Sequence, residues 1–270
     1  MENERYSRQS FLGPNAESNF FGARAGLVGL GGGGSHIVQQ LAYAGFKKFV
    51  LYDGDVGKVG NLNRTIGLTQ NDISEVRAKV DVAIRIIRCL HPDARIERHQ
   101  KRWQECPEPL RSCDLIFGCV DGYSERRELE ACCRRYLIPY IDIGIDVHEV
   151  KPQPPVMSGQ VIASIPGGPC MFCLGFLTEE KLAREAAKYG AAGINPQVVW
   201  ANGVVASTAV GLGIDIVTGW TAAKKNSVYL MYEGNKGEVR PHPRLRQLES
   251  WTKCSHFPNH LVGDPQFKKL

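Results

Sequence analysis

Short apolar runs alternate with helical patterns over residues 25–145. Consecutive apolar residues predict buried strands, and apolar positions three and four apart predict amphipathic helices. The predicted strands are Ala25–Leu30, Phe49–Tyr52, a weaker one at Ile96, Leu115–Phe117 and Tyr140–Ile145. The predicted helices are Ser35–Ala44, Ile73–Leu90 and Glu125–Tyr136. Strands separated by helices predict right-handed parallel crossovers, and therefore an α/β fold with a doubly wound, mostly parallel, Rossmann-like sheet.

A proline cluster at 151–155 interrupts this alternation. The pattern after it predicts a strand, a charged helix, a long apolar helix and two final strands, over Gly159–Ile165, Glu179–Lys188, Val198–Val217, Val228–Tyr232 and Glu238–Arg240. We therefore predict a Rossmann-like part over residues 1–150. Residues 151–270 are predicted to form a smaller C-terminal extension of mixed or antiparallel strands that shares the same core.

Composition and charge narrow the class of protein. The chain has 270 residues, of which 43% are hydrophobic and 23% charged, so a folded core is expected. The longest apolar stretch is interrupted by polar residues and glycines, and the first ten residues are polar, so we expect no membrane span, no secretory signal and a cytoplasmic location. The net charge of +5 is dispersed, which makes nucleic acid an unexpected partner.

A glycine-rich loop lies between the first predicted strand and the first predicted helix. Gly29, Gly31 and Gly34 satisfy the G-x-G-x-x-G pattern, and Gly32 adds another glycine. Glycines at these positions let backbone N–H groups approach a phosphate at a helix N-terminus. Asp53, 19 residues after Gly34, ends the second strand. A carboxylate at this position accepts hydrogen bonds from ribose hydroxyls. The pattern indicates a nucleotide, and a nicotinamide dinucleotide fits it equally well.

Polar residues after Asp53 favour a triphosphate. Asp55 is followed by Asn61, Asn63 and Arg64, and Lys79 comes 15 residues after Arg64. These side chains could place two cations and two amides near phosphates. Asp121 follows the buried strand Leu115–Phe117, at the strand end where α/β sheets bind ligands, and could hold Mg²⁺.

Taken together, these motifs resemble those of the ubiquitin-activating superfamily, most closely its bacterial MoeB/ThiF/HesA type. The resemblance spans roughly residues 5–235 and rests on Arg5–Gln9, Gly29–Gly34, Asp53, Asp55, Asn61–Arg64, Lys79, Cys119–Asp121, Cys170 and Cys173. It implies an enzyme that uses ATP and Mg²⁺ to adenylate the C-terminal glycine carboxylate of a ubiquitin-like or sulfur-carrier protein.

The resemblance also implies roles for single residues. The glycine loop, Asp53, Asp55 and residues 60–64 would hold ATP. Arg64 and Lys79 would contact its phosphates, and Asp121 would help to bind Mg²⁺. Arg8 would reach across a homodimer into the partner's site.

Two departures from the family pattern qualify these expectations. The segment Ala187–Pro196 contains no cysteine, where thioester-forming members carry one. The reaction would then stop at the acyl-adenylate, or a conjugating enzyme or other thiol-bearing partner would accept the acyl group. The second zinc cysteine pair is replaced by Cys254 with His256 or His260. Structural zinc would then have a Cys₃His ligand set that includes Cys170 and Cys173, unless the thiols bind no metal.

Other functions stay open. Within the superfamily, the substrate could be a peptide C-terminus or a tRNA adenosine, and the missing cysteine keeps the peptide alternative open. An NAD-dependent oxidoreductase is disfavoured by the Asn61–Arg64 cluster. A catalytically silent scaffold is disfavoured because Arg64, Lys79 and Asp121 are all present.

Overall fold

A computed structural model of the chain describes residues 2–187, 196–222, 228–248, 251–257 and 261–263. The strands are β1 Arg24–Val28, β2 Lys48–Tyr52, β3 Arg95–His99, β4 Leu115–Gly118, β5 Tyr140–Val150, β6 Gln153–Ser164, β7 Val228–Glu233 and β8 Glu238–Pro241. The α-helices are α1 Glu2–Arg5, α2 Ala16–Gly22, α3 Gly32–Ala44, α4 Gln70–Ser74, α5 Lys79–Leu90, α6 Tyr123–Arg135, α7 Glu179–Ala187 and α8 Val199–Thr218. Short 3-10 helices, including Ser7–Leu12, connect some of these elements.

Within the described residues, all eight strands form one sheet in the order β3-β2-β1-β4-β5-β6-β7-β8. The pairs from β3 to β5 are parallel, and the pairs from β5 to β8 are antiparallel. This mixed sheet confirms the predicted fold class. The chain leaves β1 for β2 on one side and reaches β4 on the other, so a crevice opens at the carboxyl end of β1, where such sheets bind ligands. The predicted division at residue 150 falls in the β5–β6 hairpin and stays a prediction.

The predicted helix Ile73–Leu90 is wrong as one element, because the structure divides it into α4 and α5. Val76 lies between them with a positive φ of 51°, and Ala78 is extended. The chain turns here because Lys79 N donates to Asp55 O at 3.0 Å and Ala78 forms a bridge with Val56. Lys79 is therefore the first residue of α5 and lies beside the loop that follows β2.

The proline cluster at 151–155 is predicted to break the pattern of strands and helices, but part of it belongs to a strand. Pro154 and Pro155 lie within β6, whose residues before Ser158 pair with β5 alone. Proline, which has no N–H to donate, is tolerated on such an edge. Strands β5 and β6 are consequently longer than predicted and form an extended hairpin.

Helix α8 packs against α3 and against strands β5 and β6. Its residues Ala201, Val205, Ala206 and Ala209 are fully buried in the core on that side of the sheet. By length and composition alone, α8 could cross a bilayer. Its packing in this structure accounts for its apolar character, and the expected absence of a membrane span stays a prediction.

Candidate functional site

A cavity of about 1310 Å³ opens at the carboxyl ends of β1, β2, β4 and β5. Nine residues predicted from the sequence line it, namely Gly29, Gly31, Gly32, Asp53, Asp55, Asn61, Arg64, Lys79 and Asp121. Residues up to 92 positions apart in the sequence thus face one space. The arrangement follows from the parallel sheet, which brings the carboxyl ends of neighbouring strands to one edge.

Two glycines of the loop, Gly29 and Gly34, are packed against backbone so tightly that they admit no side chain. Gly29 has a φ of +88°, and a Cβ there would lie 2.4 Å from Cys119 O. A Cβ on Gly34 would lie 2.0 Å from Gly29 O, which places Gly34 beneath the loop rather than in the cavity lining. No described atom lies within 4 Å of a Cβ on Gly31. At Gly31 the backbone therefore faces open space in which a phosphate can approach.

Asp53 ties the glycine loop to the loop after β2. Its Oδ2 accepts from Leu30 N at 2.7 Å, and its Oδ1 accepts from Asp55 N at 2.8 Å. Burial raises the pKa of Asp53, whereas Lys79 and the two N–H donors oppose this effect. The carboxylate is thus fixed in orientation where a ribose hydroxyl could donate to it.

Lys79 is the most deeply buried cation among the predicted site residues, with 8% of its surface exposed. Its Nζ lies 2.6 Å from Asp55 Oδ2. This hydrogen bond lowers the pKa of Asp55, whose side chain remains 63% exposed. The pair holds the lysine ammonium at the cavity wall.

Arg64 also reaches the cavity and is steadied by its own loop. Its Nη1 donates to Gly60 O and, at 3.0 Å, to Asn63 Oδ1. Asn61 Oδ1 accepts from Lys58 N at 3.1 Å. Asn63 does not line the cavity, but it accepts a hydrogen bond from Arg64 and helps to position that side chain. Its nucleotide contact stays a prediction.

Arg8 is exposed in the 3-10 helix Ser7–Leu12 and does not line the cavity of its own chain. Its predicted role in a partner's site is compatible with this position and stays a prediction.

Asp121 lies between β4 and α6, two residues before α6 begins. The first N–H groups of α6 are capped from α7, because Tyr123 N and Ser124 N donate to the Glu185 carboxylate at 2.7 and 2.8 Å. Glu185 therefore joins α7 to the helix that follows Asp121. The segment 188–195, which makes up most of the cysteine-free stretch Ala187–Pro196, is outside the described residues.

Several cations of the cavity were missed by the sequence reasoning, namely Lys101, Arg102, Arg126, Lys181 and Arg184. Arg126 is buried and donates to the Asp142 carboxylate and to Val120 O. Its position five residues after Asp121 on an amphipathic helix was the available signal. The other cations reach the cavity only through tertiary packing.

The cavity continues over the face of the β5–β6 hairpin. Gly144, Asp146 and His148 of β5 lie beside Ser158 and Gln160 of β6. Asp146 Oδ2 lies 3.2 Å from His148 Nδ1, and His148 Nε2 lies 3.4 Å from Ser158 Oγ. The cavity thus has a polar sheet floor beyond the glycine loop.

A second site is formed by Cys170, Cys173, Cys254 and His256, whose ligand atoms all lie within 4.8 Å of one another. The Sγ atoms of Cys170 and Cys173 are 3.6 Å apart, and those of Cys173 and Cys254 are 3.7 Å apart. Tetrahedral zinc with Zn–S bonds of about 2.3 Å requires S···S separations of about 3.8 Å, so the cluster fits zinc. His256 Nδ1 lies 3.5 and 3.4 Å from the first two sulfurs, whereas His260 is outside the described residues.

The cysteine turn is fastened to α6. Glu130 accepts from Met171 N at 2.9 Å, and Arg134 donates to Gly168 O and Pro169 O at 3.1 and 2.9 Å. Shortly after this turn, Phe176 lines the cavity. A metal in the cluster would therefore stabilise one wall of the larger site.

Comparisons with known proteins agree with this geometry. A model of the ThiF family matches residues 6–254. The SAMP-activating enzyme E1 of Haloferax volcanii is 29% identical over 176 residues, which cover 63% of this chain and 61% of that protein. The sulfur carrier protein ThiS adenylyltransferase of Escherichia coli is 31% identical over 142 residues, which cover 51% of this chain and 56% of that protein. The chain thus spans less than two thirds of the length of either relative.

Solved structures show the same fold. Escherichia coli MccB with ATP superposes with a TM-score of 0.71 over 88% of this chain and 71% of that one, at 17% identity. PaaA superposes with a TM-score of 0.68 over 89% of this chain and 82% of that one, also at 17% identity. Likeness at this level of identity establishes the architecture alone.

Proposed function

Because the chain belongs to the ThiF family, whose model matches residues 6–254, we propose that it uses ATP to adenylate a C-terminal carboxylate and releases pyrophosphate. Family membership confirms the resemblance inferred from the motifs. The acceptor we propose is a ubiquitin-like or sulfur-carrier protein. The names of two relatives, the SAMP-activating E1 and the ThiS adenylyltransferase, support this class of acceptor.

The observation that carries the proposal is the composition of one cavity. Gly31 opens the backbone toward it, Asp53 is fixed for a ribose, Arg64 and Lys79 supply cations, and Asp121 lies at the adjoining strand end. A dehydrogenase has no evident use for these cations beside its ribose carboxylate. A triphosphate requires them.

The chemistry explains why the charges are gathered. A carboxylate must attack the α-phosphorus of a triphosphate, and two anions resist this approach. Fixed cations and Mg²⁺ offset the repulsion and stabilise the charge on the departing pyrophosphate. The nucleophile belongs to the acceptor, so the enzyme's contribution is mainly positioning.

Charge balance supports a need for Mg²⁺ and for a second subunit. Among the described residues, the cavity lining contains seven Lys or Arg and six Asp or Glu, a surplus of one positive charge. This surplus is too small for a triphosphate, which carries several negative charges. We propose that Asp121 helps to bind Mg²⁺, which takes few carboxylates together with phosphate oxygens, and that Arg8 of a partner subunit adds a further cation.

Exposed aromatic residues near Arg8 support a homodimer. Phe11 shares the 3-10 helix of Arg8 and is 68% exposed. It packs edge-on against Trp220, which follows α8 and is 47% exposed. Exposed apolar surface of this kind is typical of protein interfaces. We propose that a second copy of the chain covers it.

Two further features fit the proposal. The cavity exceeds the roughly 300–1,000 Å³ of a drug-sized ligand site, which leaves room for the acceptor tail beside ATP. The Cys₃His cluster suits a closed structural zinc site, with four protein ligands and no open position for chemistry.

The test is ATP–pyrophosphate exchange with purified protein and candidate acceptors. We expect exchange by the wild type and a loss of about 10²–10³-fold in Asp121→Ala, because one element of charge stabilisation is removed. Glu128→Gln, an exposed change on α6, is the matched control and should exchange normally. Wild-type protein that binds no ATP, or an Asp121→Ala variant with full exchange, would contradict the proposal.

Mixing variants tests the shared site. Arg8→Ala and Asp121→Ala each inactivate their own homodimers, but random pairing in a two-fold dimer leaves about one quarter of the sites intact. We expect the mixture to recover exchange to about that level. No recovery would contradict the homodimer with composite sites.

A peptide C-terminus is the second candidate acceptor. It is favoured by the absence of cysteine from Ala187–Pro196, since a peptide modified on the enzyme needs no thioester. With a ubiquitin-like acceptor, the same absence calls for a thiol on a conjugating enzyme or another partner. Transfer of radiolabelled AMP to each candidate acceptor separates the two.

A further inference from the structure

Lys181 occupies the wall of the cavity formed by α7. Its Nζ donates to Phe176 O at 2.6 Å. The same ammonium lies 4.9 Å from the ring centroid of Phe176 and 5.2 Å from that of Tyr123. A carbonyl and two aromatic faces therefore hold the charge in one place, in contact with the cavity.

Within the residues that the structure describes, Lys181 forms no ion pair, whereas Arg184 on the same helix pairs with Glu180 at 3.2 Å. Burial lowers the pKa of Lys181, and the positive charges of Arg244, Arg184 and Arg126 lower it further. A half-buried cation with cationic neighbours and no counter-ion is costly unless an anion joins it. The surroundings of Lys181 thus point to an anionic ligand.

The position of Lys181 distinguishes this anion from the phosphates. Lys79 is joined to the glycine loop through Asp55 and Asp53. Lys181 instead lies on α7, beside the rings of Phe176 and Tyr123. Residues 181 and 185 are one helical turn apart and share a face of α7. Glu185 on that face is bonded to the start of α6, so Lys181 is held next to the segment that contains Asp121.

We propose that Lys181 binds the terminal carboxylate of the acceptor and holds it for attack on ATP. This inference rests on the proposed adenylation and adds the residue that recognises the acceptor's end. Lys181 Nζ pairs with the carboxylate, and Glu185 is a positioning residue that keeps α7 against α6. The ion pair weakens once the carboxylate has displaced pyrophosphate and become the mixed anhydride with AMP, because the acyl carbonyl then carries no formal charge. Lys181 therefore favours the bound substrate over the product.

The kinetic consequence is specific. A contact to the ground-state carboxylate contributes mainly to substrate binding. Lys181→Met should therefore raise KM for the acceptor about tenfold or more, with a smaller change in kcat and no change in KM for ATP. A merely structural role would impair ATP binding as well.

The direct experiment measures binding of two synthetic octapeptides that end in Gly-Gly, one with a free carboxylate and one with a C-terminal amide. Fluorescence anisotropy with Mg²⁺ and a non-hydrolysable ATP analogue gives the Kd of each. We expect the wild type to prefer the carboxylate by about tenfold or more. Lys181→Met should bind both peptides equally, and Lys181→Arg should retain the preference. Lys236→Met, an exposed change at the β7–β8 turn, is the control.

A wild type without this preference, including one that binds neither peptide, would overturn the assignment, as would a Lys181→Met variant that keeps it. Lys181→Gln is a second neutral variant, needed if loss of the ammonium over the two rings prevents folding in Lys181→Met. Calorimetric titration with Mg-ATP separates this inference from the proposed function. If wild type and Lys181→Met bind ATP equally, but the wild type shows no preference for the carboxylate peptide, the assignment of Lys181 alone is wrong. If the wild type binds no ATP, the adenylation proposal is wrong as well.

Discussion

Replacing Lys79 by methionine separates the stability of the site from its chemistry. Lys79 is 8% exposed and its Nζ lies 2.6 Å from Asp55 Oδ2, but the Asp55 side chain is 63% exposed. Water can solvate Asp55 once its partner is gone, so the loss of stability should be under about 1 kcal/mol. Removing a positioned charge next to the reacting phosphates should instead reduce exchange about 10²–10³-fold, equivalent to about 3–4 kcal/mol.

The same substitution changes the pH dependence. Burial already raises the pKa of Asp53, and the charge of Lys79 counteracts that rise. Without Lys79 the pKa of Asp53 rises further. The Asp53 carboxylate therefore becomes protonated at a higher pH than in the wild type. If ribose binding needs the ionised form, the acidic limb of the exchange profile should therefore move to higher pH in Lys79→Met.

The assay combines ATP–pyrophosphate exchange with chemical denaturation. Lys58→Met is the matched control, because Lys58 is exposed in the same loop and does not line the cavity. The reasoning is refuted if Lys79→Met folds normally and exchanges within about twofold of the wild type. It is equally refuted if Lys58→Met loses as much exchange as Lys79→Met.

Three further predictions test other parts of the account. Gly34→Ala should destabilise the fold by about 3 kcal/mol, because its Cβ would lie 2.0 Å from Gly29 O. Gly31→Ala should keep the stability and weaken ATP binding. Equal melting temperatures of the two variants would contradict this. Asp72→Asn should cost about 2–4 kcal/mol in urea denaturation at pH 7, since Asp72 is buried between Arg85 and Arg77. The Arg85 hydrogen bond holds the pKa of Asp72 well below its ordinary 3.8, so this stabilisation is complete above about pH 4 and is lost as pH falls through the folded value; a pH-independent difference would count against it. Elemental analysis should find one zinc per chain, lost in Cys254→Ser and His256→Ala, and a zinc-free wild type would contradict the Cys₃His assignment.

The sequence predicts the sheet well because apolar runs and the glycine loop are local signals. The strand around Ile96 and the loop from Gly29 to Gly34 both lie where they are expected. Apolar periodicity does not show the break between α4 and α5. That break depends on the hydrogen bond from Lys79 N to Asp55 O, a tertiary contact across 24 residues.

The candidate site, like the fold, could be predicted from the sequence only where local motifs carry the signal. Residues within recognisable motifs, such as Asp53 and Arg64, were found from the sequence and line the cavity. Lys181 and Glu185 were not found, because their roles depend on contacts with residues about 60 positions earlier in the chain. Spacing alone also leaves open whether His256 or His260 completes the cysteine cluster, and His260 is outside the described residues. The structure places His256 within 3.5 Å of two cysteine sulfurs.

A crystal structure of the protein soaked with Mg-ATP tests the central claim most directly. The account predicts the triphosphate beside Gly31, the ribose on Asp53, the Arg64 and Lys79 side chains on the phosphates and Mg²⁺ near Asp121. A cavity that stays empty at saturating Mg-ATP, or Arg64 and Lys79 side chains turned away from a bound nucleotide, would contradict it.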